Sequence, residues 1–579
     1  MEKKTGAWLT RFALEQLGVR HVLGIPGVHT TELYDEFAQS PSIQPVLVTH
    51  ECSAAFMADA ISRTSQNVGT LLVVPGAGLT HAASGIGEAF LDGIPMLVLS
   101  GGIRQGGAAY QLHDIDQQAL MAPITKARWR VEHHHQVVIT LYLAYREAVR
   151  GNPGPVYVEL PTDLLISKGD VGELPEWPGY TQDDSVPRQE IELASSLLEQ
   201  ARRPGLFVGW GARHARDELV RLAEMLGAPV ATTLQGLSSF PADHPLHVGM
   251  GYGLAAVPAA QRAFETCDCL LAIGTRFSQV GTGSYSMEVP ENLIHIDIDP
   301  GVFSKNYPAK IAIAADARHA LKALLRKLDL LGIHRDSKKI AGQIAGDKAT
   351  YLKNWRNHDA RQKVNPARLF QAIDALWSRD SIVVADDGNH TFLTAELLPM
   401  EGQRRFISPT DFNCMGYAVP AALGAKLANP GREVVAIVGD GAFLMTGNEL
   451  LTAEGLGLGV VVIVFCDGEL AQIAQTQQIP YNRKTCTVLK PLNLKAAAAM
   501  TGSLYFRIGT NADIEPILAA ARAGAAASKP ALIEVNIDYS KKTAFTEGIV
   551  KANLRRLPRG DKARIVTRAV MRRLTPQES

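Results

Sequence analysis

The stretch 437–470, IVGDGAFLMTGNELLTAEGLGLGVVVIVFCDGEL, holds two apolar runs that each end in a glycine-flanked aspartate turn. The run 460–465, VVVIVF, reads as a buried strand, and so does the run that ends at Val438, with a helix-forming segment between them. Gly439 and Gly441 let the backbone approach an anion closely, and a helix opening after Ala442 would offer unpaired N–H groups to it. Asp440 and Asp467 stand 27 positions apart, one at the C-terminal edge of each strand. Two carboxylates so placed suit Mg²⁺, which takes oxygen ligands at about 2.1 Å and bridges carboxylates to substrate phosphates. A lone GDG is most often only a turn; the second aspartate at the next strand end is what strengthens the reading.

Outward from this unit, 579 residues exceed what one core organises and imply about three domains of roughly 150–200 residues. Charged residues make up 20% with a formal net charge of zero, which argues against nucleic-acid binding and for small-molecule chemistry. No apolar run reaches the roughly 20 residues that span a bilayer, so no membrane association is expected. The first residues, MEKKTGAWLTRFALEQLGV, read as an amphipathic helix, not an export signal. Six cysteines, with no CxxC pair, suit a reducing compartment, and a cytoplasmic location is the expectation.

Three blocks alternate apolar runs with helical patterns, as parallel sheets covered by helices require. The expected fold class is α/β, with three doubly wound parallel-sheet domains at 1–175, 190–335 and 365–545, and a basic arm at 546–579 read as a solvated helix. The Pro/Gly/Asp-rich segment that starts at Pro161 reads as a linker. His133, His134 and His135 read as a solvated helix start.

The chain resembles the thiamine-diphosphate (ThDP) enzymes, whose motif is GDG followed after about 25–30 residues by Asn-Asn, and within them the acetolactate synthase branch. IPGV, THECSAAFMADA and PGAGLTHAASGIGEAFLDGIPMLVLSG carry the likeness in the first block. IGTRF and HIDIDPGVFSKN carry it in the second, and DDGNHT, CMGYAVPAALGAKLANP and VVAIVGDGAFLMTGNEL in the third. The resemblance implies a pyrimidine-binding first domain, a flavin-domain-like middle domain and a third domain holding ThDP diphosphate and Mg²⁺.

It also implies roles. Glu51 would hydrogen-bond N1′ of the cofactor's aminopyrimidine and promote loss of its C2 proton, although a glutamate at a helix start otherwise reads as a surface residue. Met415 would bend the cofactor, where periodicity alone makes it core filler, and the backbone of Asn413 would receive the 4′-amino group. Gly388, Asn389 and His390 would touch the diphosphate. Gly24, Pro26, Gly27, Gly76 and Gly78 would form first-domain loop turns, and Gln111 would lie near the reacting centre. Mg²⁺ would be held by Asp440, Asp467 and the backbone carbonyl of Glu469, with Gly439, Gly441, Ala442, Leu470 and Ala471 completing the cofactor cradle. Since the family builds each site from two subunits, at least a homodimer is expected, with a tetramer as the fuller assembly.

The departures bear on the reaction. Simple decarboxylases of the family protonate their intermediate with a Glu six residues after the second metal ligand and with a His-His pair. Here Ile473 occupies that position and His113 stands alone in its segment. This favours carboligation of a 2-oxo acid such as pyruvate with a second carbonyl. Where branched-chain acetolactate synthases carry Met and Trp, this chain has Gln472 and Thr476, so a different acceptor pocket is expected. Asp467 stands for the family's usual Asn. GWGARH and GTRFSQVGTG resemble flavin loops and leave FAD an open expectation. The competing readings are a ThDP decarboxylase or lyase, a flavin-linked oxidase and a non-catalytic paralogue.

Overall fold

A computed structural model describes residues 3–556 and 558–574. Among these residues, three six-stranded parallel sheets carry the fold. The first runs, edge to edge, Gln44–Leu47, His21–Gly24, Gly69–Val73, Met96–Gly102, Pro155–Pro161 and Ala127–Arg130. The third runs Arg405–Ile407, Ile382–Ala385, Val434–Gly439, Val461–Phe465, Ala531–Val535 and Leu504–Ile508. Both share one strand order, 2-1-3-4-6-5 by position in the chain. The middle sheet differs: His247–Met250, Val230–Thr232, Pro204–Val208, Cys269–Ile273, Leu293–Asp297 and Ile311–Ala314, an order of 3-2-1-4-5-6.

Strand Val461–Phe465 is buried at every residue, as a parallel strand with helices on both faces must be. In each sheet the chain leaves in opposite directions from two adjacent strands, which opens a crevice at their C-terminal ends. The crevice falls between His21–Gly24 and Gly69–Val73 in the first sheet. In the third it falls between Ile382–Ala385 and Val434–Gly439.

Helix Glu51–Thr64 is buried along nearly its whole surface, more than an amphipathic pattern predicts. It packs between its own sheet and helix Ala418–Ala428 of the third domain, so both faces are interior. Small residues allow this approach: a Cβ at Gly424 would lie 2.2 Å from the Met57 carbonyl oxygen. The buried guanidinium of Arg63 is paired with Asp59 at 2.6 Å and Asp92 at 2.8 Å, and the Tyr417 hydroxyl donates to Asp59 at 2.6 Å.

Two expectations are corrected. The segment from Pro161 is not wholly a linker: it forms helix Thr162–Ile166 and strand Lys168–Asp170, which pairs antiparallel with Lys3–Thr5. Three backbone-paired residues suffice to bind both ends of the first domain together. The basic arm is not a purely solvated helix either. Its helix Arg559–Leu574 packs on helix Ala471–Tyr481, and Arg572 donates to the Tyr481 carbonyl at 3.3 Å. Residues 557 and 575–579 of the arm lie outside the described residues. Among the described residues, no helix is long and apolar enough to cross a membrane.

Candidate active site

At the third-sheet crevice, Gly439 is the N-cap of helix Asp440–Thr446. The helix therefore opens at Asp440, earlier than the expected start after Ala442, because the aspartate takes helical geometry immediately. Its Oδ1 accepts the Gly441 N–H at 2.8 Å, and its Oδ2 accepts Gly468 N–H at 2.8 Å and Asp467 N–H at 3.3 Å. One carboxylate thus ties both glycine turns together. Burial raises its pKa while those N–H groups oppose the rise. Asp467 is pushed up to about 7, first by burial and then by the charges of Asp440 and Glu469. A divalent cation between two such carboxylates would offset their repulsion. The loop is braced from outside: Leu470 N–H donates to Thr487 O and Leu489 N–H to Gly468 O, each at 2.8 Å. The Glu469 side chain turns to Lys484, and Ala471 begins the next helix.

Across the crevice, a Cβ at Gly388, whose φ is 148°, would lie 2.7 Å from the His390 ring, and one at Gly439 3.1 Å from it. Both glycines make room for this imidazole, which burial drives down to about 3. His390 Nε2 and Asn389 Oδ1 are buried without a partner, as is Gln472 Oε1 on the far side of the Asp467 turn. Buried polar atoms are ordinarily paired, and these three lie in segments that follow strands of the third sheet, where a polar ligand would satisfy them.

Asn413 has φ 65°, and Met415 lies close enough that a Cβ at Gly441 would meet its Cε at 3.7 Å. Asp386, absent from the sequence-derived set, pins this segment: its carboxylate accepts Gly416 N–H at 2.8 Å and Ala418 N–H at 2.7 Å. Ala442 is buried beneath the cradle. In helix Ala471–Tyr481, Ile473 is 51% exposed, and the Thr476 hydroxyl donates to the Gln472 carbonyl at 2.9 Å. The Thr476 hydroxyl is thus spent within its own helix, while Gln472 Oε1 has no partner.

In the first domain, a Cβ at Gly24 would collide with Leu72 O at 1.9 Å and one at Gly27 with Val74 at 2.4 Å. Pro26 is exposed between them. Gly76 has φ 60° and abuts His113. Glu51 opens its helix at 8% exposure, with Oε2 3.0 Å from His81 Nδ1, and a Cβ at Gly78 would approach its Oε1 to 3.2 Å. Just before it, Thr49 N–H and Oγ1 both donate to Glu449 of the third domain, at 3.1 and 2.6 Å.

Gln111 lies in the loop after strand Met96–Gly102 and donates to Arg104 O at 3.1 Å. The buried glutamine of that region is Gln117, whose Oε1 accepts Gly76 N–H at 3.2 Å. His113 is not alone: its ring centroid lies 5.4 Å from that of His29, a partner 84 residues away (113 − 29) that chain spacing could not pair. His81, Glu449, Asp386, Gln117 and His29 were missed because each acts through a contact between segments distant in the sequence. Three of them lay inside motifs the sequence offered: Glu449 in the GNEL after the GDG turn, Asp386 at the head of DDGNHT and His81 in PGAGLTHAAS.

The middle-sheet crevice opens into a cavity of about 670 Å³ lined by Trp210, Arg213, His214, Thr275, Arg276 and Asp297, with Arg405 from the third domain. Burial and the neighbouring Arg405 bring Arg213 down to about 10, and burial with Arg213 brings His214 down to about 4. The lining mixes charges, with arginines such as Arg213 and Arg405 facing acidic groups such as Asp297, Asp316 and Asp411, and the strand order is that of dinucleotide-binding sheets.

Three family profiles match the chain: "Thiamine pyrophosphate enzyme, N-terminal TPP binding domain" at 4–120, the "central domain" at 191–324 and the "C-terminal TPP binding domain" at 386–535. Among curated relatives, the probable acetolactate synthase large subunit of Methanocaldococcus jannaschii is 34% identical over 493 residues, 82% of each chain. The acetolactate synthase isozyme 3 large subunit of Escherichia coli is 31% identical over 557 residues, 93% of this chain and 96% of its own. The large subunit of Corynebacterium glutamicum is 33% identical, covering 83% and 78%. With both TPP-binding domains matched in order and most of each relative covered, the chain belongs to the thiamine-diphosphate-dependent enzymes, on the branch of the acetolactate synthase large subunits.

Proposed function

We propose that this enzyme is a ThDP- and Mg²⁺-dependent carboligase that decarboxylates a 2-oxo acid such as pyruvate and joins the acyl unit to a second carbonyl compound. The observation that carries this reading is the carboxylate pair Asp440–Asp467 at strand ends of the third sheet, with unpaired polar atoms of Asn389, His390 and Gln472 in the segments that follow its strands. Asp440, Asp467 and the Glu469 carbonyl would hold Mg²⁺ against the diphosphate. Bound ThDP supplies a carbon nucleophile and an electron sink for the pair released with CO₂. Glu51 would bind and orient the pyrimidine through its carboxylate, and Met415, held through Asp386, would shape the cradle. Ile473 would present an apolar side chain to the donor, and Gln472 would offer an acceptor to a hydroxyl or amide of the second substrate.

The test is a panel of 2-oxo acids and aldehydes incubated with ThDP and Mg²⁺, with products read by mass spectrometry. Condensed hydroxy-ketone products support the reading; release of aldehyde alone sinks it in favour of a decarboxylase. A specific observation favours that second reading, a decarboxylase or lyase: the His29–His113 pair beside Gly76 is a candidate proton donor. For the flavin expectation, the middle-sheet cavity at Arg213 is the candidate seat of FAD, and visible absorbance of the purified protein decides it. Glu51 and the diphosphate cradle lie on different domains, which suits sites shared between subunits in a homodimer or a tetramer; light scattering gives the state.

A further inference from the structure

Helix Ala77–Asp92 carries Ser84, Gly87, Glu88 and Asp92 at i, i+3, i+4 and i+8, so the four share one face. That face meets one short segment of the third domain, residues 410–414. Glu88 Oε1 accepts the Thr410 N–H and Glu88 Oε2 the Cys414 N–H, each at 3.0 Å. Asp92 accepts the Asp411 N–H between them, also at 3.0 Å. The Cys414 thiol donates to the Ser84 carbonyl at 3.5 Å, and Gly87 leaves room for Phe412, whose ring a Cβ there would meet at 2.9 Å. Glu88 is fully buried within one chain, so these contacts do not depend on subunit association. The two N–H groups it holds bracket Asn413, whose backbone is left-handed at φ 65°, a conformation asparagine adopts more readily than most side chains. A buried N–H without a partner costs the desolvation of that group, so a turn with three such donors on carboxylates of another domain takes its position from that domain.

We propose that Glu88 is a positioning residue for the cofactor cradle: its carboxylate clamps both ends of the Thr410–Cys414 turn and so sets where Asn413 and Met415 meet bound ThDP. The role rests on the ThDP reading above, because Glu88 acts through the two residues assigned to holding and bending the cofactor. Asp386 secures the C-terminal side of Met415, at Gly416 and Ala418. Glu88 secures the N-terminal side. Without it the turn would keep the Asp92 bond at the Asp411 N–H, the Arg276 pair of the Asp411 carboxylate at 2.7 Å and the bond from the Asn413 side chain to Asp387. None of these holds the N–H of Thr410 or of Cys414. The position therefore requires two acceptor oxygens on one side chain, which a carboxyl group supplies and an amide does not.

The test compares the wild type with Glu88→Gln, which keeps one acceptor, and Glu88→Met, which keeps the bulk and neither acceptor. Thermal denaturation reports the fold, and calorimetry with Mg²⁺ fixes the ThDP concentration that saturates each protein. NMR then follows exchange of the C2 proton of bound ThDP for deuterium, at saturating cofactor and well below the melting transition. That exchange reads the cofactor's bend, which Met415 would set; a residue that only stabilised the fold would lower Tm and leave the rate unchanged. The expected result is exchange slower by about tenfold or more in Glu88→Met and by about threefold in Glu88→Gln, since a misplacement of about 1 Å costs up to about a hundredfold. A wild-type rate in folded Glu88→Met overturns the proposal and leaves the cofactor reading standing. If Glu88→Met does not fold, Glu88→Gln carries the test, and a wild-type rate there overturns the proposal. Absence of ThDP binding by the wild type overturns the cofactor reading and the proposal together.

Discussion

The buried carboxylate of Asp386 accepts the backbone N–H of Gly416 at 2.8 Å, and through that bond a strand end of the third sheet fixes the residue after Met415. Ala418 N–H binds the second oxygen at 2.7 Å. Asp386→Leu should leave two buried N–H groups without partners and cost about 2–5 kcal/mol. Asp386→Asn, which keeps one carbonyl, should cost about half as much. Urea denaturation measures both, and ThDP titration should show a weakening of tenfold or more in the leucine variant. Unchanged ThDP affinity in that variant would show that Met415 needs no such support.

If Mg²⁺ bridges the proposed site to the diphosphate, Asp467 should set the metal dependence. Once ionised, above its raised value of about 7, an Asp467 carboxylate about 4 Å from a phosphate oxygen would repel it by roughly 4 kcal/mol at an effective dielectric near 20, before any cation intervenes. Mg²⁺ should therefore raise ThDP affinity by a larger factor in the wild type than in Asp467→Asn, by about tenfold or more. Calorimetry with and without the cation gives the two ratios, and equal ratios refute the argument.

Acceptor choice should follow Gln472 and Thr476. The Thr476 hydroxyl is spent on its own helix, so Thr476→Trp adds bulk without removing a pocket hydrogen bond. It should shift preference toward smaller acceptors. Gln472→Met removes the unpartnered acceptor and should raise KM for hydroxylated acceptors about tenfold, with little change for apolar ones. Competition between acceptor pairs, quantified by mass spectrometry, reads both; a product ratio that does not move defeats the pocket assignment.

A pH effect on stability should come from Glu396, far in sequence from the metal turn. Burial raises its carboxyl to about 7, against the Tyr351 hydroxyl and the N–H groups of Phe545 and Ala544 that favour the charged form. A raised carboxyl binds its proton more tightly in the folded state. Its contribution is full below the ordinary value of 4.5 and is lost as pH rises through about 7. Glu396→Gln should flatten this part of the profile, removing a decline of about a few degrees in Tm between pH 5 and 8. Thermal denaturation across that range checks it, and parallel curves for the two proteins would contradict the assignment.

Much of the protein was legible from local pattern. Apolar runs ending in glycine turns specify parallel strands, and two aspartates at successive strand ends point to a candidate cation-binding edge; a short chain segment contains all the physics of that inference. Asp440, Asp467, Gly439 and Gly441 are therefore readable in one line of sequence. Tertiary structure alone decided the groups that act across distance. Asp386 reaches the Met415 segment, Glu449 clamps Thr49 of another domain, His81 meets Glu51, and His29 meets His113. Those pairings depend on which strands become neighbours and on helix Glu51–Thr64 being buried on both faces. Periodicity records one buried face of a helix; it holds no trace of the second domain that covers the other.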